Sequence, residues 1–408
     1  MPASKRTIVL AFSGGLDTSF CVPWLMEKHG CEVVTVTVDT GGLDDAARAR
    51  LAERSRELGA ADHVLVDGRD AFFQETLRFL VMGNVLKGQV YPLCVGAERG
   101  LQARFVAEAA RRLGASAVAH GSTAAGNDQV RFEVALRTLA PELEILAPVR
   151  DEGFSREQEI AFLTAHGVKV DATRAAYSIN QGLWGVTIGG RETTDTVEGL
   201  PESAWVLSAG AFEKPRPSER HRLAFELGVP SSLDGEQLAP VDLIDRLSAL
   251  AAPFGIGRGI HLGDTIFGLK GRVAFEAPAA VVLVQAHREL EKLVLTARQQ
   301  RVKDSLSTTY GDLVHEGQFL EPACRDIEAL LLSSQRRVSG EVKVLFQPGS
   351  AFVEGVSSPF SLRAASRGVY GEAAGEWTAA DARGFSRMLA LPGMLHARAG
   401  RTDGEEGR

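Results

Sequence analysis

Short β-branched runs alternate with longer amphipathic segments through the first third of the chain. Residues 7–12, 32–38, 63–66 and 117–120 read as strands, and 17–28, 43–58, 70–82 and 97–113 as helices. Strands separated by helices of this size imply a parallel sheet covered on both faces, with a ligand edge at the strand C-terminal ends. After about Gly167 the rhythm breaks. A Gly/Thr-rich stretch spans 182–196 and a proline-bearing one 214–217; 278–285 reads as a strand leading into a helix over 287–303, and 340–346 as a strand. A last helical pattern over 379–391 meets the stop signal Pro392-Gly393, and 399–408 is a polar tail without apolar anchors. The expected architecture is α/β: a doubly wound parallel sheet (1–167), a second α+β domain (168–370), then a C-terminal helix and tail (371–408).

Composition narrows the class. The 408 residues are 45% hydrophobic and carry a net charge of −7, so no basic surface of the kind nucleic acid demands is indicated. Cys21, Cys31, Cys94 and Cys324 form no CxxC pair, which reads as reduced thiols in a cytoplasmic protein. Lys5 and Arg6 precede too short an apolar run for a secretory signal, and 277–284 is too short to span a membrane. His29, His63, His166 and His261 lack metal-ligand spacing and read as surface or packing residues. Arg288, Glu289, Glu291 and Lys292 read as a solvated helix face.

The strongest chemical signal is Ser13-Gly14-Gly15-Leu16-Asp17-Thr18-Ser19, between the first strand and the first helix. Paired glycines let the backbone approach an anion, and a helix N-terminus supplies unpaired N–H groups and a positive dipole end. The competing reading is a plain turn with Asp17 or Ser13 capping the helix. Neither GxxxxGK[ST] nor GxGxxG fits here. A second cluster, His120-Gly121-Ser122-Thr123-Ala124-Ala125-Gly126-Asn127-Asp128-Gln129-Val130-Arg131-Phe132-Glu133, follows the strand ending at His120 and falls on the same sheet edge. Its carboxylate, amide and guanidinium groups suit a small zwitterion, Arg131 gripping a carboxylate and Asp128 an ammonium.

The loop is similar to those of the PP-loop ATP enzymes. With the second cluster, and with Ala147-Pro148-Val149-Arg150, Tyr177-Ser178-Ile179, Gly255-Ile256-Gly257-Arg258, Gln285-Ala286-His287-Arg288-Glu289 and Lys303-Asp304-Ser305-Leu306 in order, the chain closely resembles the argininosuccinate synthase family over about residues 7–390. The resemblance implies a PP-loop adenine-nucleotide-hydrolase fold and a ligase that adenylates the ureido oxygen of citrulline, releases pyrophosphate, and couples the product to aspartate, giving argininosuccinate and AMP. It assigns ATP to Ala11, Phe12, Ser13, Gly14, Gly15, Leu16, Asp17, Thr18 and Ser19, with Val38 and Gly121 beside the adenosine and Arg99 on the phosphates. Aspartate falls to Thr123, Asn127 and Asp128, and the acceptor to Asn127, Arg131, Ser178 and Thr187. Asp17, Arg99 and Asn127 are the implied catalytic groups. Mg²⁺ would come with ATP, and Asp17 would hold it or position the pyrophosphate. Small-molecule substrates and a homotetramer joined by the C-terminal helix are also implied.

The acceptor side departs from the family pattern. Lys87 and Phe275 stand where tyrosines are expected, Gly263 where a glutamate is expected, with Asp264 next to it as a substitute charge. A second reading therefore keeps ATP and aspartate but takes a different ureido, amide or carboxyl acceptor. A third, a catalytically weak nucleotide-binding relative, is disfavoured by the intact loop and by Asn127, Asp128 and Arg131.

Overall fold

The computed structural model describes residues 6–170, 177–372 and 374–400. Strands β1 (Thr7–Ala11), β2 (Glu32–Asp39), β3 (Asp62–Asp67), β4 (Ala117–Ala119) and β5 (Glu144–Leu146) form a sheet in the order β3-β2-β1-β4-β5, parallel throughout. The period-two alternation of β1 serves two cores. Ile8 and Leu10 pack with Phe20, Val22 and Leu25 of the helix Leu16–His29, while Val9 packs with Val106 and Ala107 of Arg99–Arg112. The chain runs outward through β2 and β3 and then returns to β4, so the order reverses between β1 and β4. The loops after those strands therefore flank the switch point where open α/β sheets bind ligands.

The remaining strands are β6 (Ser178–Gly182), β7 (Gly185–Gly189), β8 (Glu219–Glu226), β9 (Val229–Leu233), β10 (Glu236–Gln237), β11 (Arg258–Asp264), β12 (Lys270–Glu276), β13 (Gly340–Gln347) and β14 (Ser350–Ser357). They build two antiparallel sheets, β11-β12-β7-β6 and β10-β9-β8-β13-β14. The largest core joins Phe72, Phe73, Leu77 and Leu80 of the first half to Trp184, Leu223, Val282 and Phe346 of the second. Residues 1–359 form one compact unit and 360–408 another. In the second, a capping box between Thr378 and Asp381 starts the helix Ala379–Ala399. None of that helix is buried, and Phe385, Met388, Leu389, Met394 and Leu395 are exposed along it. Among the described residues, no helix is long and apolar enough to cross a membrane.

Four expectations are corrected. Residues 278–285 are not a strand but the first half of the helix Pro278–Val294, with Pro278 in its first turn. Its apolar residues are buried nearly all round, a pattern that a short window cannot tell from a buried strand. The expected helix over 287–303 is split: the chain breaks after Val294, and a capping box between Thr296 and Gln299 starts Ala297–His315. Pro392 does not end the last helix, which runs on to Ala399; proline removes one backbone donor, and the flanking turn-to-turn bonds carry the helix past it. Glu291 is also not solvated, being 2% exposed. The expected tail beyond Gly400 lies outside the described residues.

Candidate functional site

At the switch point the sequence loop becomes an open helix end. Gly14 takes φ +71°, the left-handed region that favours glycine, and the helix begins at Leu16 with Gly15 as N-cap and no side-chain cap. The capping reading of Asp17 and Ser13 therefore falls, and the first-turn amides are left for a ligand. Ser13 Oγ lies 3.2 Å from Thr18 Oγ1, and Ser19 Oγ donates to the Gly14 carbonyl at 3.4 Å. Thr37 Oγ1 donates to the Phe12 carbonyl at 2.7 Å and ties the loop to β2. Val38 is on β2 with its side chain in the core.

Gly121, just after β4, presses on this loop. A Cβ there would stand 3.1 Å from the Asp17 carbonyl carbon and the Thr18 nitrogen. The two clusters separated by a hundred residues thus share one wall. Beside Asp17, Glu159 of the helix Arg156–Ala165 is 1% exposed, and burial, reinforced by the Asp17 charge, pushes its carboxyl up to about 8.

The second cluster starts the helix Asn127–Leu139 and is held by arginines. Arg99 Nε donates to Asp128 Oδ2 at 2.9 Å and Arg131 Nη1 to Asp128 Oδ1 at 2.7 Å. Burial raises the pKa of Asp128, but Arg99 and Arg131 outweigh it and bring the carboxyl down to about 2. Arg99 also donates to Glu98 Oε1 at 2.8 Å and to Asn180 Oδ1 at 3.3 Å. Glu98, 2% exposed, accepts from Thr40 Oγ1 at 2.5 Å; burial wins over Arg99 and pushes it up to about 7. Asn127 Oδ1 accepts from the Ile266 amide at 3.0 Å, which draws the β11–β12 hairpin onto the helix N-terminus. Thr123 is exposed in the loop between.

The sheet β11-β12-β7-β6 carries four of the acceptor candidates, Ser178, Thr187, Gly263 and Phe275. Buried Thr187 on β7 pairs in register with Asn180 of β6 and with Phe275 of β12, and Ser178 is exposed on β6. Lys87 Nζ donates to Asp312 Oδ1 at 2.9 Å, and Gly263 is on β11. Asp264 is no substitute for a side chain at 263: it points to the other face of the strand and is paired with Lys270. Glu98, Asn180, Glu159 and His315 carry no expectation from the sequence, and His261, read there as a surface or packing residue, is half-buried on β11 beside the acceptor candidates. Only Asn180 carried a signal, two residues from Ser178 on the same strand face.

The model of the arginosuccinate synthase N-terminal HUP domain matches residues 7–169, and that of the C-terminal domain matches 177–396. The chain is 41% identical to the argininosuccinate synthase of Pyrobaculum aerophilum over 405 residues, 98% of this chain and 99% of that one. It is 40% identical to the Xanthomonas campestris pv. campestris enzyme of that name, covering 98% and 100%, and 38% identical to the Rubrobacter xylanophilus one, covering 95% and 94%. With both domains matched and the likeness running end to end, the chain belongs to the argininosuccinate synthase family.

Proposed function

We propose that this protein joins citrulline to aspartate at the expense of ATP, forming argininosuccinate, AMP and pyrophosphate. The observation that carries the reading is the uncapped helix end at Gly15, walled by Gly121 and set at the sheet's switch point, in a chain of this family. ATP falls to residues 11–19 with Val38 and Gly121 beside it. The first-turn amides and the dipole of the helix Leu16–His29 stabilise the departing pyrophosphate. Arg99, a buried cation that donates to Asn180 of β6, is assigned to the phosphates.

Asp128, Asn127 and Thr123 are assigned to aspartate. Asp128 stays ionised because two guanidiniums face it, so it is ready to take the ammonium of the incoming amino acid. Arg131, Ser178, Thr187, Lys87, Gly263 and Phe275 are assigned to the acceptor. Among the described residues, no group of three or more His, Cys, Asp or Glu forms a metal cage. Magnesium is assigned as an ion carried by the nucleotide and met by the Asp17 carboxylate, where it would supply charge neutralisation on the phosphates. The exposed apolar positions of Ala379–Ala399 support assembly into a homotetramer, and the composition supports a cytoplasmic setting. The test is product analysis with MgATP, aspartate and citrulline. Citrulline-dependent AMP and argininosuccinate in equal amounts support the reading; no citrulline-dependent AMP overturns it.

A further inference from the structure

The far end of the acceptor site is lined in a way that selects among ureido compounds, an inference that rests on the reaction proposed above. Lys87 and Tyr91 from the loop after Met82, His261 from β11, Arg131 from the helix Asn127–Leu139 and His315 from the end of Ala297–His315 gather there. Tyr91 stacks on His261, with ring centroids 5.6 Å apart, and packs on buried Phe275 at 5.2 Å. Arg131 Nε donates to the His315 carbonyl at 2.8 Å. A Cβ on Gly88 would stand 2.8 Å from His261 Cε1, so the Lys87 loop rests directly on β11.

Among the described residues, the carboxylates near this end are already committed. Asp312 is paired with Lys87, and Asp128, held by Arg99 and Arg131, is the group assigned to the ammonium of aspartate; Asp264 points to the other face of β11 and is paired with Lys270. Lys87 gives one of its three N–H donors to Asp312 and keeps two. His261 and Gly263 share one face of β11, and the imidazole occupies the volume that a side chain at 263 would need. His261 Nε2 is buried without a hydrogen-bond partner among the described residues. Burial, then the Lys87 charge, lowers the His261 pKa, so the ring serves as a neutral hydrogen-bonding group. An incoming carboxylate meets Lys87, Arg131 and an imidazole. An incoming ammonium meets the same cations and, among the described residues, no carboxylate beyond those already paired or assigned to aspartate.

We propose that this end of the site is built for a carboxylate with no ammonium beside it, so that ω-ureido acids lacking the α-amino group are used at least as efficiently as citrulline. The balance of the reaction is unchanged. The ureido oxygen attacks the α-phosphorus and the bond to pyrophosphate breaks. The aspartate amine then attacks the isourea carbon, the C–O bond to AMP breaks, and the amine loses a proton.

The experiment compares kcat/KM for 5-ureidopentanoate and citrulline, with MgATP and aspartate saturating and AMP and the coupled product measured. A value for 5-ureidopentanoate equal to or above that for citrulline is expected. Turnover of citrulline with 5-ureidopentanoate below it overturns the inference and leaves the reaction standing. Silence with both overturns the reaction and the inference together. A second measurement uses His261→Ala with Gly263→Glu, which opens the volume and installs a carboxylate. It should move the ratio of the two values at least tenfold towards citrulline, whereas a merely structural role for His261 would lower both alike. An unchanged ratio overturns the role of His261 and Gly263. The wild-type comparison decides the proposal even where the double variant does not fold.

Discussion

Arg99 and Asp128, placed on different helices, meet through a 2.9 Å hydrogen bond from Nε to Oδ2, and the group assigned to phosphate thereby holds the group assigned to aspartate. Asp128→Asn would remove the charge that an ammonium needs and leave Arg99 and Arg131 facing a neutral amide. KM for aspartate should rise at least about tenfold, equivalent to about 1.4 kcal/mol, while KM for ATP changes less. Steady-state kinetics with each substrate varied in turn checks the split; equal effects on both would contradict the assignment.

Gly121 has no room for a branched side chain. With a Cβ 3.1 Å from the backbone of Asp17 and Thr18, Gly121→Val must push the first turn of the nucleotide helix. ATP affinity should fall at least about tenfold, again about 1.4 kcal/mol, with the fold retained by circular dichroism. Wild-type nucleotide affinity in that variant would show that the contact is incidental.

Glu159 makes stability depend on pH. Its folded pKa of about 8 lies above the ordinary 4.5, so the folded state holds a proton that the unfolded chain has released. The contribution is fully present below about pH 4.5 and is lost as pH rises through about 8. Glu159→Gln should be no more stable than wild type at acid pH and more stable near pH 9. Urea unfolding of the two proteins without nucleotide, at both pH values, reads the crossover.

Lys303 and Glu291 are 1% and 2% exposed and lie 3.0 Å apart, with Asn84 and Gln335 also donating to Glu291 at 2.6 and 2.7 Å. Lys303→Met leaves a buried carboxylate without its cation and should cost about 3–5 kcal/mol. Adding Glu291→Gln should recover part of that loss, which denaturant unfolding of the double-mutant cycle measures.

Strands β1 to β4 were legible as short β-branched runs set between amphipathic helices, whereas β5, only three residues long, and the helices Asn127–Leu139 and Arg156–Ala165 were not read. The PP-loop was legible because its glycines and hydroxyls sit between a strand and a helix. Helix Pro278–Val294 was misread because burial on nearly every side erases the period. Glu291 was misread as solvated because a charge on a helix announces nothing about the partners that neutralise it.

From the sequence alone came the parallel sheet, the nucleotide loop and the cluster from His120 to Glu133, and from the family resemblance came the departures expected at Lys87, Gly263 and Phe275. These are properties of neighbours along the chain, or of single positions. Tertiary structure alone decided that Gly121 touches the nucleotide loop, that Arg99 and Arg131 share Asp128, and that His261 fills the space beside Gly263. Gly121 with Asp17 and Arg99 with Asp128 join residues tens to a hundred positions apart, and even between near neighbours such as Arg131 and Asp128 the burial and charge pairing that set their chemistry exist only once the chain has closed on itself.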